Sequence, residues 1–231
     1  MKTQFNYIDE NYKRIVFNLN EAKEKYNRSG ENIDIMAVTK TIAPEVVNYA
    51  ISSCGIKILG ENRVQEYLSK KELYSPASVH FIGQLQTNKV KYIVDSVDMI
   101  QSVDSKKLAL EINKHAERAK KIQNILVEVN IAGEEAKGGV SPDELTELLY
   151  ELSELSNIKV CGLMTVPPVF ESEKFLYDMQ KIYIDISEKK IDNINMSLLS
   201  MGMSGDYETA VRYGSNMIRI GSALFGARVY K

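Results

Sequence analysis

The sequence predicts a single (β/α)8 barrel of TIM type, an α/β fold occupying residues 1–231 as one domain. Three observations carry that expectation. Eight short apolar runs recur along the chain, each separated from the next by a stretch with helical spacing. The runs are continuously apolar, as in parallel strands covered by helices on both faces. No Gly-x-Gly-x-x-Gly fingerprint follows any of them, which counts against the open doubly wound sheet that shares this local pattern. At 231 residues and 44% hydrophobic content, the chain has the material for one such barrel.

The elements follow in order. Residues 6–26 place Ile8, Tyr12, Ile15, Leu19 and Ala22 at helical spacing and read as an opening helix. Residues 33–38 form the first strand, closed by Thr39-Lys40. Pro44 suits a first turn, and Val46, Val47 and Ala50 continue that helix. The second strand is 56–59, after which Gly60-Glu61-Asn62 opens a helix. The third, 79–82, ends at Gly83, and a helix over 87–94 leads to a short fourth strand at Met99-Ile100. Asp104-Ser105 signals a helix over 106–120, followed by the fifth strand at 125–129. A loop with three glycines covers 131–139, and Ser141-Pro142-Asp143-Glu144 combines a cap, a first-turn proline and a capping-box glutamate. The sixth strand, 158–164, is stopped by Val166-Pro167-Pro168. A long helix over 173–189, a seventh strand at 195–199, a helix over 207–213 and an eighth strand at 217–220 complete the alternation.

Composition excludes several function classes. Lys and Arg total 29 against 31 Asp and Glu, a net charge of −2. A nucleic-acid binder needs a clustered basic excess to meet phosphates, and an anionic membrane calls for a polybasic anchor; neither is present. The two cysteines, Cys54 and Cys161, cannot form a disulfide framework and read as small buried hydrophobes rather than catalytic thiols. The N-terminus leads into charged amphipathic sequence, without an apolar signal region, and no run approaches the roughly 20 apolar residues of a membrane span. A soluble, cytoplasmic protein with a small-molecule ligand is the expectation. With two histidines and no cysteine beside either, a zinc site is not expected. His115 reads as part of a solvated face; His80 is either at the pocket mouth or a satisfied core histidine.

In a barrel the active site lies where the strands end. The loops after strands seven and eight, where such folds often bind phosphate on backbone N–H groups, here carry Ser200, Ser204 and Gly221-Ser222. Small residues there let the backbone approach an anion and a hydroxyl adds a donor, although turn glycines and helix-capping serines look the same. Arg219 alternates with Ile218 and Ile220, so it points into the barrel if those face the helices. A buried guanidinium needs a partner, either a structural carboxylate or an acceptor on a bound cofactor. Lys40 shares the face of Met36 and Val38; it either reaches solvent at a strand end or serves as a Schiff-base nucleophile. An amine for an imine bond, a phosphate cradle and an arginine for a pyridine nitrogen together match what pyridoxal 5′-phosphate requires.

The sequence also resembles a known family. Ala37-Val38-Thr39-Lys40, Gly60-Glu61-Asn62-Arg63-Val64-Gln65-Glu66 and His80-Phe81-Ile82-Gly83-Gln84-Leu85-Gln86-Thr87-Asn88-Lys89 are similar to stretches of the pyridoxal phosphate homeostasis proteins. So are Gly162-Leu163-Met164, Ser200-Met201-Gly202-Met203-Ser204 and Ile218-Arg219-Ile220-Gly221-Ser222-Ala223-Leu224-Phe225-Gly226. The resemblance runs over nearly the whole chain, and the family is similar in fold to the N-terminal barrel of alanine racemase. It implies that Lys40 holds pyridoxal 5′-phosphate as a Schiff base, Asn62 lies beside the ring, Arg219 meets the pyridine nitrogen, and Ser204, Gly221 and Ser222 bind phosphate. Ser200 is a further candidate, and Lys137 matches a lysine the family often has. Where relatives often have Trp before the His-Phe pair, this chain has Val79, and it contains no Trp.

Three functions compete at this level: a non-catalytic protein that stores, delivers or buffers pyridoxal phosphate, an amino-acid racemase, and a cofactor-free Schiff-base aldolase. Racemisation needs an acid/base on each face of the substrate carbanion. In the racemase relatives the second is a tyrosine from an additional β domain and a partner subunit. The chain runs only a few residues past the eighth strand, so that domain is expected to be absent and a monomer is expected. An aldolase would leave Arg219 without a purpose. The expectation is therefore a carrier, without dedicated catalytic activity, whose partners are the cofactor and pyridoxal-phosphate-dependent apoenzymes.

Overall fold

A computed structural model describes residues 4–134, 137–168 and 170–227 of the chain. Eight parallel strands close into a barrel in sequence order: β1 (Asp34–Val38), β2 (Ile58–Glu61), β3 (Ser78–Phe81), β4 (Met99–Val103), β5 (Gln123–Glu128), β6 (Ile158–Met164), β7 (Ile194–Met203) and β8 (Met217–Ile220). Strand β8 pairs back with β1, Arg219 opposite Met36, which seals the ring. Helices α1 (Asn6–Lys25), α2 (Pro44–Cys54), α3 (Val64–Lys70), α4 (Lys106–Arg118), α5 (Pro142–Ser153), α6 (Ser172–Lys189), α7 (Tyr207–Arg212) and α8 (Ser222–Phe225) lie between or beside the strands. The expected fold class is the one observed.

Local signals explain most helix starts. Pro44 opens α2 with Ala43 extended before it, and Gly55 ends the helix in the left-handed conformation at φ 68°. Ser105 accepts the Leu108 N–H and starts α4. Ser141 accepts the Glu144 N–H, while the Glu144 carboxylate takes the Ser141 hydroxyl at 2.5 Å. The Glu144 side chain thus bonds the serine side chain, whereas a capping box uses the backbone N–H.

The main core lies outside the barrel wall. Outward strand residues such as Ala37, Leu59, Phe81, Ile100, Ile125 and Ile220 pack against the apolar stripes of the helices. Inside, a smaller cluster of Met99, Leu126, Cys161 and Met164 fills the ring. Methionine suits that role because an unbranched side chain adapts to an irregular interior. Gly60 leaves room for that filling: a Cβ at its position would lie 2.6 Å from Sδ of Met36, which would have to shift. Cys161 is buried as expected, whereas Cys54 is only half-buried; burial and the Asp9 carboxylate push its thiol up to about 12, a poor nucleophile. His115 is likewise half-buried on α4, bonded to Glu111.

Differences from the sequence expectation fall at strand ends. Strand β2 runs through Gly60-Glu61, β4 extends to Val103, and β7 continues to Met203, four residues beyond the expected apolar run. The 87–94 segment is a 3-10 helix over Thr87–Tyr92, and the short α8 was not anticipated. Within the 131–139 loop, residues 135 and 136 lie outside the described residues, as do the C-terminal residues 228–231.

Candidate functional site

Backbone alternation decides what reaches the barrel mouth. Along β1, Met36 and Val38 face inward while Ala37 and Thr39 face the helix layer, so Lys40 emerges on the inner side. Its two neighbours are held from behind. The Thr39 hydroxyl donates to Oε1 of Glu61 at 2.6 Å, and the Tyr74 hydroxyl donates to the same oxygen at 2.5 Å. Burial pushes the Glu61 carboxyl up, against the pull of those two bonds. Thr41 sits at φ 65°, where a β-branched residue is strained, and its N–H donates to Oε1 of Glu66 at 2.5 Å. Lys40 therefore leaves the strand from a backbone anchored on both sides.

A cavity of about 350 Å³ opens at this end of the barrel. Lys40 and Val38 line it from β1, and Asn62 and Ile82 follow β2 and β3. Val166 comes after β6, while Met203, Ser204 and Gly205 come from the end of β7. Arg219 on β8 and Gly221-Ser222 beyond it complete the wall. Lys40, Asn62, Ser204, Arg219, Gly221 and Ser222 are thus brought together, as their positions at strand ends suggested. Oδ1 of Asn62 is buried with no hydrogen-bond partner among the described residues. Gly83 makes the approach of the next loop possible, since a Cβ there would lie 2.1 Å from the Asn62 carbonyl oxygen.

The loops after β7 and β8 are tied together by one hydroxyl. Oγ of Ser204 accepts the N–H groups of Gly221 and Ala223, each at 3.2 Å, which leaves its own proton for an acceptor in the cavity. Asp206 shapes the first loop by accepting the Met203 N–H at 2.7 Å. The combination presents two serines and the start of α8 to one side of the cavity, a donor-rich wall suited to an anion.

Arg219 forms the floor and is 4% exposed. Nη1 donates to Oγ of Ser200 and Nη2 to the carbonyl of Thr165, both at 2.8 Å. Burial lowers its pKa to about 10, with Glu128 and Asp206 opposing, so it stays protonated at neutral pH. Of the two partners open from sequence, a contacting structural carboxylate is not the one found among the described residues. Glu128, at the end of β5, is pushed up to about 7 by burial and by Asp104. Ser200 lies beneath the floor, fully buried, and holds Arg219 without lining the cavity. Lys137 stands off the cavity and pairs with Glu134 at 2.8 Å. His80 is buried, bonded to Gln101, and lowered to about 4 by burial, so it is a neutral core histidine. Met203 lines the cavity, whereas Met201 packs in the core.

The family model described as alanine racemase, N-terminal domain, matches residues 11–229, which contain every residue of this cavity. A pyridoxal phosphate homeostasis protein of Aquifex aeolicus is 42% identical over 228 residues, covering 96% of this chain and 98% of that one. The chain belongs to the pyridoxal phosphate homeostasis protein family. As expected for a pyridoxal phosphate homeostasis protein, the similarity runs through the whole barrel in solved structures as well. A protein of unknown function from Bifidobacterium adolescentis superposes with a TM-score of 0.91 at 30% identity, covering 97% of each chain. PipY of Synechococcus elongatus, solved with PLP bound, superposes with a TM-score of 0.77 at 28% identity, covering 90% of this chain and 100% of that one.

Proposed function

We propose that this protein binds pyridoxal 5′-phosphate, covalently through Nζ of Lys40, and serves cofactor homeostasis in the cytoplasm by storing, delivering or buffering it. The observation that carries the reading is the convergence of Lys40, Arg219 and the Ser204–Gly221–Ser222 wall on one cavity. When bound, the cofactor supplies an electron-withdrawing ring conjugated to the carbon–nitrogen bond it forms with an amine. The residues present fit that group. Arg219, protonated and bonded through Nη1 and Nη2 to Ser200 and Thr165, would donate a further N–H toward the ring nitrogen and disfavour its protonation, which would weaken the ring as an electron sink. Asn62, whose Oδ1 is buried and unpartnered among the described residues, would give a polar edge beside the ring, and Ser204 and Ser222 would hold the phosphate.

The absence of dedicated catalysis is part of the proposal, and the make-up of the wall supports it. Among the described residues lining the cavity, Lys40 is the one side chain able to take a proton from carbon and return it near neutral pH; the others are apolar, hydroxyl, amide or a permanently charged guanidinium. A racemase needs a second such group opposite the first. No helix among the described residues is long and apolar enough to cross a membrane. Delivery of the cofactor to pyridoxal-phosphate-dependent apoenzymes by a monomer is the working form of the proposal.

Purified protein incubated with pyridoxal phosphate is expected to turn yellow, with a visible band that borohydride abolishes and fixes to Lys40 on peptide mapping. Lys40→Ala is expected to stay colourless. A wild-type protein without the band sinks the binding reading. Chirality loss across a panel of L-amino acids, present in wild type and gone in Lys40→Ala, overturns the carrier reading in favour of a racemase.

A further inference from the structure

The Arg219 guanidinium is held by neutral groups, and one of those contacts continues across the barrel. Ser200 accepts from Nη1 of Arg219 and donates its own proton to Oε1 of Gln101 at 2.8 Å. Nε2 of Gln101 meets Nδ1 of His80 at 2.9 Å. The four residues come from β8, β7, β4 and β3, and all are buried. They form a rod of hydrogen bonds spanning the interior, and Gln101 itself does not reach the cavity.

His80 is neutral because burial disfavours its charge, so its ring has one N–H and one acceptor nitrogen; with Nε2 of Gln101 as the donor, Nδ1 accepts and the ring proton lies on Nε2. Nε2 of Gln101 also lies 3.1 Å from Sδ of Met217, a weak acceptor that opposes an amide oxygen in the same place. This contact favours the orientation in which Oε1 of Gln101 faces Ser200 and takes the serine proton. A lone pair of Ser200 is left facing Nη1. Each donor in the chain strengthens the next acceptor, which a low-dielectric interior favours.

We propose that Gln101 is a positioning residue for the cavity: acting through Ser200, with His80 locking its amide, it sets the plane of the Arg219 guanidinium and hence where its remaining N–H groups reach a ligand. What those groups meet, a pyridine nitrogen, rests on the function proposed above; the orientation of Arg219 does not. Met99 and Met217, which meet the same amide, offer only sulfur.

Two readouts test this. In crystals grown without cofactor, Gln101→Leu is expected to show the Arg219 guanidinium rotated off the Ser200–Thr165 pair; a guanidinium in its original place overturns the proposal, whether or not the protein binds pyridoxal phosphate. With cofactor, Gln101→Leu and Ser200→Ala are each expected to weaken binding about three- to tenfold, the worth of one net hydrogen bond. Each is also expected to shift the pH titration of the bound absorption band. The double variant is expected to shift no further than either single one, since both break one rod. A summed shift in the double variant, or a wild-type titration in Gln101→Leu, overturns the proposal. Gln101→Met, close in shape, carries the same expectations if Gln101→Leu does not fold. A wild-type protein that traps no cofactor refutes the binding reading alone, and the cofactor-free structure then decides the role of Gln101.

Discussion

The Thr39 hydroxyl donates to Oε1 of Glu61 at 2.6 Å behind the barrel wall, one residue before Lys40 enters the cavity. The same oxygen accepts from Tyr74, so a single buried carboxyl anchors the strand end and the 74–75 loop together. Removing it takes the acceptor from the Tyr74 hydroxyl and leaves the buried Thr39 hydroxyl only its longer bond to the Gly60 carbonyl at 3.3 Å; an unpaired group costs about 1–3 kcal/mol, offset in part by relief of carboxyl burial. Glu61→Ala is expected to lower the unfolding free energy by about 2 kcal/mol, read by urea denaturation, and to weaken capture of pyridoxal phosphate by loosening the backbone that presents Lys40. An unchanged denaturation midpoint would show that the bond is incidental.

Glu128 makes stability fall as the solution turns from acid to neutral. Its carboxyl is raised from 4.5 to about 7, chiefly by burial and then by Asp104, while Arg219 opposes. Between those values the folded protein keeps a proton that the unfolded chain has released. The associated stability is complete below 4.5 and is lost as pH rises through about 7. The shift corresponds to about 3 kcal/mol. Glu128→Gln keeps the shape without the titration, so its denaturation free energy is expected to change less between acid and slightly alkaline buffer than that of wild type. Parallel slopes for the two proteins would place the Glu128 carboxyl at its ordinary value.

The fold and much of the site were legible in the sequence because a (β/α)8 barrel writes its strands as apolar runs and its site at their ends. Lys40 and Arg219 stood out as cations at or within such runs, and alternation alone assigned their faces. The same rule explains the errors. An apolar run stops being visible where a strand turns polar for its site, and so Glu61 in β2 reads as the opening of a helix and the Ser200–Met203 end of β7 as loop. Ser200 was expected against the ligand; its fully buried hydroxyl serves Arg219 and Gln101 instead. Gln101 had no signal at all, because its partners lie 21, 99 and 116 residues away and only barrel closure unites them.

Two glycines at the cavity separate folding from binding. A Cβ at Gly83 would lie 2.1 Å from the carbonyl oxygen of Asn62, a backbone contact that cannot yield. At Gly205 a Cβ would meet nothing within 4 Å, in the loop beside Ser204. Gly83→Ala is expected to destabilise by about 3 kcal/mol or more, through strain that displaces Asn62. Gly205→Ala is expected to fold like wild type, with a midpoint shift within about 0.5 kcal/mol. Its loss is expected in affinity, because the methyl would intrude on the side of the cavity proposed for the phosphate. Thermal melts with and without pyridoxal phosphate distinguish the two. A Gly205→Ala protein stabilised by cofactor as strongly as wild type would move the phosphate away from this loop.

Ser204 offers the sharpest assignment of the phosphate. Its oxygen already accepts from Gly221 and Ala223, so toward a ligand it can act only as a donor. A hydrogen bond to a charged group contributes about 1.5–3 kcal/mol, which corresponds to roughly 10- to 150-fold in affinity. Ser204→Ala also frees the two N–H groups, which can turn to the same anion and recover part of the loss. The expected outcome is a roughly five- to twentyfold weaker affinity for pyridoxal 5′-phosphate, around the lower end of that range because part of the loss is recovered. Binding of pyridoxal, which has the same aldehyde and ring but no phosphate, is expected to be unchanged. Equal losses for the two ligands would mean that Ser204 acts by holding the β7 and β8 loops together, and that the anion binds elsewhere on the wall.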